Sequence, residues 1–140
     1  MAVSLEDRFA IHDLFVRYTT ALDSGDVETI VSCFAADGVL ESPAVGKYAG
    51  RDRIREFSER FAAMNARGVQ LRHVISNLAI EGDGDSLRAT CYLINIMTMN
   101  RESQMMPPGR YECAVRKIDG AWLFQHRLVI LDAPFRLPEV

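Results

Sequence analysis

Leu71-Arg72-His73-Val74-Ile75-Ser76-Asn77-Leu78-Ala79-Ile80-Glu81, then Gly82-Asp83-Gly84-Asp85, then Leu87 through Met99, is the stretch whose reading decides the fold. Two apolar runs flank a turn of Asp and Gly, residues that tolerate the positive φ a tight hairpin needs. A second pair follows: Arg110–Ile118, the turn Asp119-Gly120, and a last strand from Trp122 to about Leu131. The polar, Met- and Pro-bearing stretch Asn100–Pro108 reads as the loop between the pairs. Short turns join antiparallel neighbours, so these strands predict an antiparallel sheet.

Upstream of Gly68 the period changes. Ser4 can cap a helix whose first turn holds Glu6 and Asp7, where the positive helix end favours acids. Ile11, Leu14, Phe15, Tyr18 and Leu22 recur at helical spacing, and Gly25 suits the left-handed cap that ends it. Asp26 caps a short second helix through Phe34; Asp37-Gly38 is a turn; Val39–Ser42 is a short strand stopped by Pro43. A loop from Gly46 to Gly50 leads to a third helix, Arg51 to Ala66, with Ile54, Phe57, Phe61 and Met64 inward. Helices followed by hairpin-linked strands define α+β, not α/β. One domain over residues 1–140 is expected, ordered from about 4 to 133, with an irregular tail after Pro134.

Composition narrows the function classes. Of the 140 residues 49% are hydrophobic and 25% charged, enough to bury a core without staples. The net charge is −3 and Lys occurs only at Lys47 and Lys117, so no basic stripe is present for a phosphate backbone and nucleic-acid binding is not expected. Cys33, Cys91 and Cys113 match no zinc spacing; Cys91 and Cys113 read as small core residues in a reducing, cytoplasmic setting. The start MAVSLEDRF has no secretory pattern, and no apolar run is long enough to span a bilayer. No glycine-rich phosphate loop, GxSxG elbow or metal-ligand cluster occurs, so neither metal nor cofactor is expected.

The strand Ala89–Thr98 is apolar on both alternating faces: Ala89, Cys91, Leu93 and Met97 on one, Tyr92, Ile94 and Ile96 on the other. A sheet solvated on one side would be polar there. Helices cover one face only, so a homo-oligomer, dimer or trimer, is expected.

Chemistry falls to a few side chains. Of the three histidines, His12 lies off its helix's apolar face, and His126 is read with Trp122 and Phe124, opposite Arg127. His73 shares a strand face with Leu71, Ile75 and Asn77. An imidazole can take a proton at neutral pH, and a buried one needs a partner to set its tautomer. Asp23 is the candidate partner: it ends the first helix, where the dipole disfavours an anion, so its place asks for a reason. Capping through Ser24 and Gly25 is the competing reading. Tyr18 is a phenol on a buried face, and Arg127 a guanidinium in an apolar strand, costly unless paired or set at an opening.

The run Arg17-Tyr18-Thr19-Thr20-Ala21-Leu22-Asp23-Ser24-Gly25-Asp26, with Cys33–Gly38, Gly50–Ile54, Arg72–Asn77, Gly109–Tyr111 and Asp119–Phe124, resembles the SnoaL-like, nuclear transport factor 2-like superfamily over nearly the whole sequence. The resemblance implies a cystatin-like α+β barrel roll: a cone-shaped, curved antiparallel sheet wrapped around three helices, enclosing an apolar pocket. In the ketosteroid isomerase branch the similarity includes the oxyanion tyrosine at Tyr18, but the catalytic aspartate falls at Ser42. Scytalone dehydratase is similar at Asp23 and His73; its second histidine has no counterpart, and Asn95 is the nearest polar group. The hexachlorocyclohexane dehydrochlorinase branch is similar at His73, Asp23 and Arg127, with Tyr18 in place of its lysine.

What this implies is a lyase of dehydratase or dehydrochlorinase type acting on a small, hydrophobic, cyclic substrate. His73 is the base, Asp23 its orienter, and Tyr18 and Arg127 bind the oxygen that leaves or gains charge. Phe15, Leu71, Asn95 and Met97 are expected to wall the substrate, with the Met105-Met106 loop contributing to its shape. A non-catalytic ligand-binding or oxygenase-partner module, or an isomerase or cyclase in the same pocket, is the alternative.

Overall fold

The computed structural model describes residues 2–135. Among them lie α1 (Leu5–Ser24), α2 (Val27–Ser32), β1 (Phe34–Ser42), β2 (Gly46–Ala49), α3 (Arg51–Ala66), β3 (Gln70–Glu81), β4 (Ser86–Met99), β5 (Glu102–Met105), β6 (Gly109–Ile118) and β7 (Ala121–Leu131). The helix ends follow from the expected chemistry. Ser4 accepts a hydrogen bond from the Asp7 N–H, Asp26 accepts from the Thr29 N–H, and Gly25 closes α1 at φ 72°. A side chain at Gly25 would also meet the Ala62 backbone of α3 at 3.0 Å, so α1 and α3 approach closely where α1 ends.

The strands form one seven-stranded sheet in the order β2-β1-β7-β6-β4-β3, and β5 pairs with the far end of β4 beyond β6. Inside the sheet α1 packs on β3 and β7, and α3 on β1, β2 and β3, around a core that includes Phe15, Tyr18, Phe34, Phe61 and Phe124. The α+β cone is thus as expected, with three differences. The sheet is mixed, because β1 pairs parallel with β7. Those two strands are separated by most of the sequence, so no hairpin dictates their direction. The Gly46–Gly50 loop and the Asn100–Pro108 loop each contain a short edge strand, β2 and β5. Finally, α2 stops at Ser32, and Phe34 already begins β1; the predicted Asp37-Gly38 turn is an irregularity inside that strand, where the register against β7 jumps between Phe34 and Val39. Gly38 fits there because a Cβ would lie 3.0 Å from the Phe124 carbonyl.

Two bulges shape what the cone encloses. On β3 the register slips between Ser76 and Ala79, with Asn77 at φ 58°, a conformation Asn tolerates better than most residues. On β7 one extra residue lies between Phe124, opposite Val115, and His126, opposite Ala114. That insertion reverses the alternation. Trp122, Phe124, Arg127 and Val129 are buried, while His126 turns to the rim and meets Glu41 at 3.2 Å. Grouping His126 with Trp122 and Phe124 is therefore corrected: Arg127 shares their interior face.

Candidate functional site

The C-terminal end of α1 carries Asp23 against the start of β3. Helix ends leave backbone carbonyls without helical partners. The Asp23 carbonyl is satisfied from outside, by the Asn65 side-chain amide of α3 at 3.1 Å and the Gln70 amide of β3 at 2.9 Å. These two residues pin the backbone, and neither was singled out by sequence, since an amide on a helix flank carries no periodic signal. With the backbone held, the Asp23 carboxylate reaches across to β3. It accepts the His73 N–H at 3.1 Å and lies 2.6 Å from His73 Nδ1.

The tautomer follows. A carboxylate can only accept, so Nδ1 carries a proton, and in the neutral imidazole Nε2 keeps its lone pair. Asn95, directly opposite His73 in the β3–β4 register, places its amide nitrogen 3.2 Å from Nε2. A bare Nε2 must be the acceptor, which makes the Asn95 NH2 group the donor and leaves its Oδ1 buried with no partner among the described residues. The His73 side chain is 5% exposed and that of Asp23 13%. Capping remains part of the Asp23 region, since Ser24 bonds back to Ala21, but the carboxylate itself is spent on His73.

His73, Asn95, Tyr111 and Arg127 line one cavity whose other walls are mostly apolar, among them Leu22, Phe57, Phe61, Leu93 and Val129. The empty space, its mouth to solvent included, is about 540 Å³. Only about 60 Å³ of it is open to the centre of a water-sized molecule, so the cavity is narrow. Met106 reaches the wall from the loop after β5, as Phe135 does from the last described turn. Of the expected wall residues only Asn95 lines this space. Phe15 is core, edge-on to Phe124; Leu71 is buried under the sheet; and Met97 opens instead on a shallow surface hollow beside β5. Among the described residues no three potential metal ligands are grouped together.

Arg127 is 3% exposed, and its guanidinium carbon stands 4.4 Å from the Tyr18 ring centre and 3.8 Å from that of Tyr111. Tyr18 contacts Arg127 from the core side and does not line the cavity; Tyr111, which entered the sequence analysis only as the end of the family-like run Gly109–Tyr111, does. Burial pushes the Tyr111 phenol up to about 12, and the Tyr18 phenol higher than its ordinary value as well. It likewise raises the thiols of Cys91 to about 11 and Cys113 to about 12. All four groups around the guanidinium are therefore neutral at physiological pH. Cation–π contacts to desolvated rings contribute about 2 kcal/mol or more. Removing a cation from water costs several kcal/mol even after relaxation, so the rings offset only part of it.

The SnoaL-like domain family matches residues 3–128. A Nostoc punctiforme protein of unknown function with a cystatin-like fold is 30% identical, with 94% of this chain and 96% of that one covered and a TM-score of 0.79. A candidate aromatic ring hydroxylase from Novosphingobium aromaticivorans is 26% identical over 95% of this chain and 94% of that one, with a TM-score of 0.81. A candidate scytalone dehydratase from the same organism is 20% identical over 97% and 92%, with a TM-score of 0.82; at that identity the likeness is one of fold alone. No protein of curated function matches the sequence.

Proposed function

The chain belongs to the SnoaL-like family, whose domains bind small molecules, and from that premise we propose that it is a cofactor-independent lyase using His73 as its base. The family includes dehydratases, cyclases and hydroxylase-like proteins, so membership alone does not choose the reaction. The observation that carries the choice is the 2.6 Å contact between His73 Nδ1 and the Asp23 carboxylate, with His73 on the wall of a mostly apolar cavity.

In the proposed cycle Nε2 takes a proton from a carbon of the substrate. The C–H electron pair becomes the new C=C bond as the group on the neighbouring carbon leaves with its own pair. Asp23 holds the imidazolium that forms; His73 then returns the proton to a departing hydroxide, which leaves as water. The substrate displaces the Asn95 amide from Nε2 on entering, and Asn95 Oδ1 can accept the new Nε2–H. A positioned base contributes ~10²–10⁴-fold.

The test is a panel of cyclic β-hydroxy and β-halo carbonyl compounds, followed by the ultraviolet band of the conjugated alkene. The wild type is expected to produce it, and His73→Ala to lose it while keeping the circular dichroism spectrum of the folded protein. Undiminished turnover in His73→Ala ends the proposal. Return of the proton to another carbon of the same substrate would make the reaction an isomerisation, seen as product of unchanged mass.

The same reading includes a cytoplasmic homo-oligomer. Val74, Tyr92 and Ile94 are 49%, 58% and 40% exposed on neighbouring positions of the outer β3–β4 face, which supports burial of that face by another subunit. That patch also favours the second reading, a partner module of an oxygenase, which recovery of a stable heteromeric complex from native cells would support over self-association.

A further inference from the structure

We infer that the ligand of this cavity is an anion, an apolar body carrying a planar oxyanion of the carboxylate class that docks on Arg127. This rests on the reading of the cavity as a small-molecule site and adds the charge the molecule must bring.

Arg127 makes no ion pair among the described residues and its Nε is buried without a partner, its one side-chain hydrogen-bond interaction being with the neutral Tyr111 phenol. The groups around it, Tyr18, Tyr111, Cys91 and Cys113, are neutral, so a full positive charge sits in the interior with no counter-charge from the described residues. A buried cation is ordinarily paired. The rings of Tyr18 and Tyr111 answer its charge through their faces, but a ring face satisfies none of its N–H groups as a carboxylate oxygen does. What is missing is an acceptor, and the place left for it is the cavity that Arg127 lines.

The shape of the acceptor follows from the donor. A guanidinium presents its N–H groups in one plane as a fork, which two oxygens of a carboxylate match with parallel hydrogen bonds. Tyr111, beside the guanidinium, adds a hydroxyl donor from the same wall, since a phenol oxygen that accepts from Arg127 keeps its own proton to give. A phosphate would bring nearly twice the charge and more oxygens than one guanidinium and one phenol can serve. The remaining walls, Leu22, Phe57, Phe61 and Leu93 among them, suit an apolar ring or chain behind the charged end.

The experiment titrates the full-length protein with benzoate and with benzamide, the same shape without the charge, by calorimetry at matched ionic strength. Benzoate is expected to bind at least about tenfold more tightly, since charge-assisted pairs to a buried guanidinium are stronger than neutral ones. It should also move the ¹⁵Nε resonance of Arg127. Arg127→Met is expected to fold, because a buried cation replaced by an apolar chain of similar size is often neutral for stability, and to lose the preference. Equal binding of the two probes to the wild type, or of neither, overturns the inference, as does an undiminished preference in Arg127→Met. His73→Gln should keep the preference, so a failure of the elimination chemistry and a failure of anion recognition give different results.

Discussion

Asp23 receives two hydrogen bonds from His73, a residue 50 positions later: one from its backbone N–H and one from its ring. The first sets where the strand lies against the end of α1, and the second sets which ring nitrogen carries the proton. One carboxylate thus couples the packing of helix on sheet to the chemistry of the cavity.

Asp23→Asn separates the two roles. The amide oxygen can still accept the backbone N–H, but an NH2 facing Nδ1 forces the other tautomer and puts the proton on Nε2. Turnover is expected to fall ~10²–10⁴-fold. Stability to urea should fall by about 1.5–3 kcal/mol, the range for hydrogen bonds to charged groups. A variant as active as the wild type would show that the pair is structural only.

Asn95→Leu should move stability and activity in different directions. The change removes a buried Oδ1 that has no partner, so the urea midpoint is expected to hold or rise. It also removes the oxygen that can accept the new Nε2–H of the imidazolium; a loss equivalent to one hydrogen bond, about 1 kcal/mol, lowers turnover roughly fivefold. A marked loss of stability with turnover intact would contradict both halves.

Acid should weaken the fold through carboxylates whose pKa is depressed. Trp122 donates to Asp7 at 2.9 Å, Thr29 donates to Asp26, and Arg55 to Glu28; each holds its carboxyl below its ordinary value. The unfolded forms take up protons first as pH falls, so this stabilisation is complete above the ordinary values of 3.8 and 4.5 and is lost as pH drops through and below them. Asp26 and Glu28 are exposed and Asp7 is half-buried, so added salt should flatten the dependence, least for Asp7. Melting temperature followed from about pH 5 down to about pH 2 should fall less steeply for Asp7→Asn than for the wild type; parallel curves would remove Asp7 from the account.

The thiols should be inert in the native protein. Cys33, Cys91 and Cys113 are buried and free, and burial raises each pKa, those of Cys91 and Cys113 to about 11 and about 12. Thiolate is the reacting form. Dithionitrobenzoate at about pH 8, below the ordinary thiol pKa of about 8.5, should label none of them in buffer and all three in urea. Rapid labelling of a native thiol would mean that the core around Arg127 opens more readily than its burial implies.

Much of this was readable along the chain because it depends on local rules. Helical spacing found the buried face of α1, Ser4 and Gly25 marked its ends, and Asp-Gly turns marked the hairpins. His73 and Asp23 stood out because each was the wrong residue for its surroundings unless the other answered it. The direction of β1 against β7 was hidden, since parallel pairing of distant strands leaves no turn to read. The extra residue in β7 was hidden too. It exists only as a mismatch in register with β6, and it decides that Arg127 points inward while His126 does not.

The sequence by itself determined the three helices, the long strands and their order, and pointed to His73 and Asp23 as partners, because periodicity, caps and turns act over a few residues; it left β2 and β5 inside loops. Only the tertiary structure decided which side chains meet at the cavity. Phe15, Tyr18, Leu71 and Met97 lie elsewhere, whereas Tyr111 and Arg127 come together there. That choice depends on bulges and on the approach of α1 to β3, which are set by contacts between segments far apart in the chain.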